Sequence, residues 1–292
     1  MENKVVVTCA VTGVLTDPEK FNVPVTPKQM ADAAKQAFDQ GATIIHAHFR
    51  SQDPGLGAFP TWDLEPVGEI IAAIRDRVPR MIINMSTGVM GNDISGPVAC
   101  LEKFKPEMAA CNAGSLNYLK IRKDGEWAWP PILFDNPVAK IKSFADVMTA
   151  NNIIPEFECF DTGIVRSVGM FKANGMFRGT PHLSFVMGVD SGMPARSDLL
   201  PILKDELPVD SHWQVIATGS GREKLWDLHK TCIELGGNVR TGLEDTLYLP
   251  NGDRAHDNGS LVEALVKMIR EIGKEPASPD EARRILGITK KN

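Results

Sequence analysis

The sequence predicts an α/β fold, a single-domain (β/α)8 TIM barrel over residues 1–292, from its length, its alternating patterns and the position of its polar residues. With 292 residues, 43% of them hydrophobic, the chain is long enough to bury the core of one barrel. Short β-branched runs alternate with amphipathic helical patterns throughout, which is typical of parallel βα units. Polar side chains collect near the ends of the predicted strands, where barrel enzymes place their chemistry.

Eight strands are predicted from the apolar runs, near residues 4–10, 42–48, 80–85, 107–112, 153–159, 182–188, 213–218 and 237–241. Eight helices are predicted to follow them, near residues 27–40, 62–77, 93–104, 136–150, 162–174, 196–205, 222–235 and 258–273. Eight such units also fit an open, doubly wound sheet, but no GxGxxG motif follows the first strand, which favours the barrel. An extra surface helix is expected near 279–290, after the N-cap residue Ser278.

Composition favours small-molecule partners. Lys and Arg total 32 against 37 Asp and Glu, so the net charge of −5 offers no basic field for nucleic acid or an anionic membrane surface. The start MENKVVVTCAVTG does not resemble a signal peptide, and no long apolar segment follows, so we expect a cytoplasmic protein. The five cysteines are scattered without a CxxC spacing and are interpreted as reduced core thiols.

A divalent metal site, with zinc as the preferred ion, is predicted from His46 and His48 at the end of the second strand. Residues two apart on a strand point to the same face, so both imidazoles are able to ligate one ion. Glu244, after the last strand, completes a set of two histidines and one carboxylate with an open coordination position. The alternative is a structural pair of histidines that are hydrogen-bonded to backbone or carboxylate groups.

A general base is predicted beside this site. Because consecutive residues of an extended segment point apart, Glu244 and Asp245 are not expected to ligate the ion in the same way. Asp245 is therefore the candidate base, and Arg240 is expected to hold and orient its carboxylate. A purely structural Arg–Asp pair, closing the barrel bottom or a loop, is the alternative.

Two turns between a strand and a helix are predicted to receive anionic groups through their backbone N–H groups. One is the Ser-Thr-Gly turn at 86–88, and the other is the run from Thr218 to Arg222 after the seventh strand. A barrel commonly binds phosphate near that second position, and Arg222 adds a cation. A plain tight connection is the alternative for the second turn.

Other polar residues close the third, fourth and fifth strands and are expected at the mouth: Asn84, Asn112, Glu156 and Glu158. The two glutamates face the same way, so they must be paired, metal-bound or protonated, and Glu158 is the better site candidate. His182 and His212 begin their strands and are expected at the opposite end, which argues against an amidohydrolase-like site with further histidines.

The ordered motifs of the chain resemble the β-keto acid cleavage enzyme family, whose founding activity is 3-keto-5-aminohexanoate cleavage. They are TCAVTG, GATIIHAHFR, NMSTG, KPEMAACNAGSLN, IIPEFECF, FVMGVDSGMPA and GGNVRTGLEDTLY. The resemblance covers nearly the whole chain. It implies a (β/α)8 barrel, one zinc ion per chain on His46, His48 and Glu244, a catalytic dyad of Arg240 and Asp245, and a homotetramer.

The resemblance also implies that a 3-oxo acid and acetyl-CoA become acetoacetate and a new acyl-CoA. Residues Ser86, Thr87 and Gly88 match the turn that receives the substrate carboxylate, whereas Asn112 and Glu158 match pocket positions. With coenzyme A as co-substrate, the candidate CoA-binding residues are Gly219, Gly221 and Arg222.

The chain departs from the aminohexanoate-cleaving enzymes near the first strand. Val14 and Leu15 stand where those enzymes carry an acidic residue, and Ala110 replaces a hydroxyl residue. We therefore expect neutral or apolar substrate chains to be preferred over a terminal amine, unless Glu158 receives the amine. The competing functions are a CoA-independent metal-dependent aldolase or lyase of an oxo acid, and a non-catalytic metal-holding sensor of a keto acid.

Overall fold

The computed structural model describes residues 3–14, 16–53, 59–219 and 223–289. Its strands are β1 (Lys4–Val5), β2 (Val7–Ala10), β3 (Ile44–Ala47), β4 (Ile82–Met85), β5 (Met108–Asn112), β6 (Leu116–Tyr118), β7 (Ile132–Phe134), β8 (Ile154–Cys159), β9 (His182–Met187), β10 (His212–Ala217), β11 (Asn238–Thr241) and β12 (Glu275–Pro276). Eight of them close a parallel barrel in the order β2, β3, β4, β5, β8, β9, β10, β11. The predicted fold class is therefore confirmed.

Helices pack around this barrel and follow each of its strands. They are α1 (Pro27–Asp39), α2 (Leu64–Arg77), α3 (Ser95–Phe104), α4 (Val138–Ala150), α5 (Thr162–Asn174), α6 (Leu200–Asp205), α7 (Glu223–Glu234), α8 (Asn258–Glu271) and α9 (Pro279–Leu286). Local sequence starts several of them: Thr26 and Gln29 form a capping box before α1, and Asp161 caps α5 by accepting from the Ile164 N–H. In the described part of the chain, no helix is long and apolar enough to cross a bilayer.

The first predicted strand is divided at Val6. The Val6 N–H donates to Oδ1 of Asn238 over 2.9 Å instead of joining the ladder between its neighbours. Residues Lys4–Val5 then pair with Glu275–Pro276 outside the barrel, whereas Val7–Ala10 join it. One continuous apolar run therefore forms strands in two different sheets.

The extra helix that was expected near 279–290 is present as α9, over Pro279–Leu286. Helix α9 begins after a Ser278–Glu281 capping box and ends at Gly287, which has a positive φ of 68°. Its residues Ala282 and Leu286 are buried against the barrel strands. Because these apolar residues are four positions apart on one helical face, α9 covers the N-terminal end of the barrel.

An antiparallel hairpin between β5 and α4 was not predicted. Strands β6 and β7 pair with Leu116 opposite Phe134. The loop that connects the two strands contains Gly125, which has a φ of 87°. The Asp124–Gly125 dipeptide between β-rich runs is a hairpin signal that the pattern analysis did not use. Tyr118 and Phe134 of this hairpin line a cavity at the C-terminal mouth of the barrel, so the hairpin lies beside that mouth.

Candidate active site

A cavity of about 640 Å³ opens where the barrel strands end. Its volume lies within the range of roughly 300–1,000 Å³ that is usual for small-molecule sites. Its polar residues come from the strand ends and the loops that follow them: His48, Ser86, Asn112, Glu158, Thr218, Arg240, Glu244 and Asp245. The structure therefore brings most of the sequence-predicted site residues to one cavity.

His46, His48 and Glu244 form a compact cluster, of which His48 and Glu244 line the cavity. One ligand atom of each lies within 4.8 Å of the others. Oε1 of Glu244 is 3.6 Å from Nε2 of His46 and 3.4 Å from Nε2 of His48. Strand β3 carries His46 in its ladder and delivers His48 just beyond its end, so the two rings meet edge to face at 5.2 Å.

The chemistry of this cluster fits a divalent metal. Burial lowers the pKa of His46 well below its ordinary value, so the imidazole is neutral and has a lone pair to share. Burial alone raises the pKa of Glu244, but the Arg240 guanidinium holds it well below its ordinary range, so this residue is a carboxylate. Two imidazole nitrogens and one carboxylate oxygen are donors that zinc accepts in catalytic sites.

The other oxygen of Glu244 is held by the loop after β2. Oε2 accepts a hydrogen bond of 3.1 Å from the Gly13 N–H, which leaves Oε1 facing the histidines. Gly13 has a φ of 55°, and a Cβ here would lie 2.8 Å from Cγ of Glu244. The close approach of this loop to the carboxylate therefore needs glycine.

Arg50 is a functional candidate that the sequence analysis missed. Its buried guanidinium donates to the carbonyls of Thr12 (3.2 Å), Gly13 (3.0 Å) and Thr16 (2.8 Å). It therefore fixes the loop whose N–H holds Glu244. Its place two residues after His48 in HAHFR, on the same strand parity, was the available signal.

Arg240 and Asp245 form a bidentate pair at the mouth. Nε and Nη2 of Arg240 each donate to one oxygen of Asp245 over 2.9 Å. Nη2 also donates to Oε1 of Glu244 over 2.5 Å, and Nη1 donates to Oε1 of Glu158 over 3.4 Å. The pair lines the cavity and does not close the barrel bottom.

The expectation that Glu244 and Asp245 point apart on an extended segment is wrong. Residues 242–245 form a turn, in which the Asp245 N–H donates to the Gly242 carbonyl over 2.9 Å. Gly242 has a φ of 146°, and a Cβ there would lie 2.0 Å from the Ala10 carbonyl oxygen. Because the backbone turns here, both acidic side chains reach the same guanidinium.

Burial shapes the protonation of these groups. It raises the pKa of Asp245 to about 7, with Arg240 opposing the shift. It raises the pKa of Glu158 to about 8, again against Arg240. Burial lowers the pKa of Arg240, but the surrounding carboxylates outweigh it and raise that pKa well above its ordinary value. The guanidinium is thus a permanent cation among three acidic groups.

The turn after β4 lies on the cavity wall. Ser86 and Gly88 line the cavity together with Asn112 at the end of β5. The Thr87 hydroxyl instead donates to the Ala110 carbonyl over 2.6 Å, so its side chain ties the turn to β5. The turn therefore offers Ser86 and backbone groups to a ligand.

Glu156 and Asn84 lie below the mouth, contrary to the expectation that they reach it. Glu156 accepts hydrogen bonds from Ser184 (2.6 Å) and Gln214 (3.0 Å), and also from the Asn84 amide. This buried network satisfies the carboxylate inside the barrel. Glu158, two residues further along β8, is the glutamate that reaches the cavity.

The remaining predicted residues are placed as follows. Gly219 follows β10 next to the cavity-lining Thr218. Gly221 and Arg222, like Leu15, lie outside the described residues. His182 and His212 begin β9 and β10 and line a separate cavity of about 30 Å³ at the opposite end, as predicted.

An eight-stranded parallel barrel with this polar cluster at its C-terminal mouth has the layout of a barrel enzyme. The family model described as beta-keto acid cleavage enzyme matches residues 4–288. The chain belongs to the beta-keto acid cleavage enzyme family, which confirms the resemblance inferred from its motifs.

Two curated relatives cover nearly the whole chain. The 3-keto-5-aminohexanoate cleavage enzyme of Fusobacterium nucleatum subsp. nucleatum is 34% identical over 298 residues, covering 99% of this chain and 100% of that protein. The 3-oxoadipate:acetyl-CoA acetyltransferase of Cupriavidus necator is 29% identical, covering 99% of this chain and 96% of that protein. Among solved structures, the apo structure of ObcA has a TM-score of 0.72 at 19% identity, covering 91% of this chain and 65% of that chain. That likeness shows the barrel fold.

Proposed function

We propose that this chain is a zinc-dependent β-keto acid cleavage enzyme that converts a 3-oxo acid and acetyl-CoA into acetoacetate and a new acyl-CoA. The observation that carries the proposal is the bidentate Arg240–Asp245 pair beside the His46, His48 and Glu244 cluster, in one cavity. The name of the Cupriavidus necator relative, a 3-oxoadipate:acetyl-CoA acetyltransferase, supports acetyl-CoA as the co-substrate.

Substrate binding uses the cluster and the turn after β4. His46, His48 and Glu244 would hold the zinc ion, which would supply Lewis-acid chemistry that acidifies the carbon between the two carbonyl groups of the 3-oxo acid. The turn at 86–88 receives the substrate carboxylate through Ser86 and backbone N–H groups, and Asn112 borders the same space. Gly219, Gly221 and Arg222 are proposed to contact coenzyme A.

Asp245 is proposed to take the proton from that carbon. Arg240 holds both oxygens of the carboxylate, so the base is already oriented before substrate arrives. The resulting carbon nucleophile forms a C–C bond with the acetyl thioester, and the CoA thiolate leaves. The thiolate then adds to the original ketone, the old C–C bond breaks to give the new acyl-CoA, and Asp245 returns the proton to acetoacetate.

An assay with and without acetyl-CoA tests this proposal. Purified protein with a 3-oxo acid such as 3-oxohexanoate is expected to form acetoacetate and an acyl-CoA only when acetyl-CoA is present. Cleavage in its absence indicates the CoA-independent aldolase or lyase. Metal and keto acid binding without any turnover indicates the sensor. The homotetramer and the cytoplasmic location stay predictions.

A further inference from the structure

Part of the cavity is bounded by an aromatic wall, formed by Tyr118, Phe134 and Phe160. The rings of Tyr118 and Phe134 meet edge to face at 6.5 Å, and those of Phe134 and Phe160 do so at 6.0 Å. All three side chains line the cavity. Aliphatic and indole groups extend this apolar surface: Val14, Trp62, Val89, Met90, Ile132, Val186, Val189 and Ile216.

The aromatic wall is held in place by hydrogen bonds to backbone carbonyls. Trp129 stacks on Tyr118 at 5.7 Å, and its indole N–H donates to the Tyr118 carbonyl over 3.2 Å. The ammonium group of Lys140 donates to the carbonyls of Val89 (3.2 Å) and Asp135 (2.9 Å), which joins the turn after β4 to the end of the hairpin. The apolar surface is therefore formed before a ligand arrives.

Charged partners for a distal substrate group are scarce in this space. Among the described lining residues, Asp93 is the only charged side chain outside the central group of His48, Glu158, Arg240, Glu244 and Asp245. Arg240 already donates to three carboxyl groups. Asp93 is exposed, and its Oδ1 accepts from the Ser95 N–H (3.0 Å) and hydroxyl (2.7 Å).

We propose that the distal part of the 3-oxo acid is an uncharged alkyl or aryl chain that packs against the aromatic wall. Among the described lining residues, a distal carboxylate meets no cation except Arg240, which already donates to three carboxyl groups. A distal ammonium meets those carboxyl groups, which Arg240 already holds, or the solvated Asp93 at the rim, so either charge loses hydration that these partners do not replace. Each buried methylene favours binding by about fourfold. This inference rests on the proposed function and specifies its substrate class.

Three six-carbon substrates separate the distal charges: 3-oxohexanoate, 5-amino-3-oxohexanoate and 3-oxoadipate, each assayed with acetyl-CoA. We expect kcat/KM for 3-oxohexanoate to be at least about tenfold higher than kcat/KM for either charged compound. We also expect kcat/KM to be higher for 3-oxooctanoate than for 3-oxohexanoate. A higher value for either charged compound overturns the inference and leaves the proposed function standing. Failure of all four to yield acetoacetate overturns the proposed function, and this inference with it.

Adjacent residues of β7 supply a matched pair of variants. Ile132 and Phe134 line the cavity, whereas Leu133 between them is 53% exposed and is not among the lining residues. Phe134→Ala is expected to lower kcat/KM for 3-oxooctanoate by about tenfold or more, with a smaller loss for 5-amino-3-oxohexanoate. Leu133→Ala is expected to behave as wild type. An equal loss on every substrate in Phe134→Ala, or equal losses in both variants, overturns the assignment of the aromatic wall.

The Asp93→Asn variant tests the alternative that the substrate carries a distal ammonium group. Because Asp93 lies at the exposed rim, this variant is expected to leave kcat/KM for 3-oxohexanoate and 3-oxooctanoate unchanged within about twofold. A tenfold loss confined to 5-amino-3-oxohexanoate, with that compound preferred by the wild type, overturns the inference in favour of an ammonium substrate.

Discussion

Arg240 and Asp245 meet through two parallel hydrogen bonds, each of 2.9 Å, one from Nε and one from Nη2. This fork geometry fixes the plane of the carboxylate as well as its position. Nη2 also reaches Glu244, so one guanidinium sets the relative positions of the candidate base and the candidate metal ligand. The site is thereby preorganised around a single buried cation.

The first prediction follows from that pair. Asp245→Asn is expected to lower kcat by at least about a hundredfold, because an amide cannot accept the substrate proton. Metal content and circular dichroism are expected to match the wild type, since the candidate metal ligands are His46, His48 and Glu244. Near-normal turnover would make Asp245 structural and direct the search for the base to Glu158.

The second prediction concerns the metal. Wild-type protein purified with its metal is expected to contain about one divalent ion per chain, and His48→Ala is expected to lose it, because the proposed site has only three side-chain ligands. Elemental analysis measures both. His256→Ala is the control, since that side chain is 89% exposed and lies outside the cluster. Equal metal loading in wild type and His48→Ala contradicts the ligand assignment.

The third prediction tests Arg50 as a residue that positions Glu244. Arg50→Lys keeps a positive charge but cannot span the carbonyls of Thr12, Gly13 and Thr16. Metal affinity, measured by competition with a chelator, is expected to fall by about 10–100-fold, the usual effect of removing support behind a ligand. Arg122→Lys on the exposed hairpin turn is the control. Unchanged metal affinity together with a lowered Tm would assign Arg50 to stability alone.

The fourth prediction concerns stability against pH. Burial, reinforced by His212, lowers the pKa of His182 to about 3, so the folded chain keeps this imidazole neutral. The unfolded chain, with a histidine pKa of about 6.5, binds a proton that the folded chain excludes. Above pH 6.5 this titration therefore leaves the free energy of unfolding unchanged. As the pH falls from 6.5 towards about 3, the free energy of unfolding decreases by about 1.4 kcal/mol per pH unit.

Urea unfolding of wild type and His182→Gln over this range measures the effect. The free energy of unfolding is expected to depend less steeply on pH in His182→Gln than in the wild type. Parallel curves for wild type and His182→Gln contradict a buried neutral imidazole at the N-terminal end of the barrel.

Local patterns were sufficient for much of the fold and part of the site. Alternation of apolar runs and helical patterns predicted the eight barrel strands, because side-chain periodicity depends only on neighbours in sequence. The spacing of His46 and His48 likewise predicted their common orientation, since strand geometry fixes it. The positions of His182 and His212 at the start of their strands correctly predicted that both lie at the end of the barrel opposite the mouth.

Contacts between distant segments decided the rest. Gly13 reaches Glu244 across 231 positions of sequence, and Arg240 reaches Glu158 across 82. The turn that brings Asp245 to Arg240 depends on the approach of Gly242 to Ala10, which no local pattern reveals. The sequence by itself therefore determined which residue types end the strands. Only the closed barrel decided which of them meet, because closure brings together strands from the beginning, middle and end of the chain.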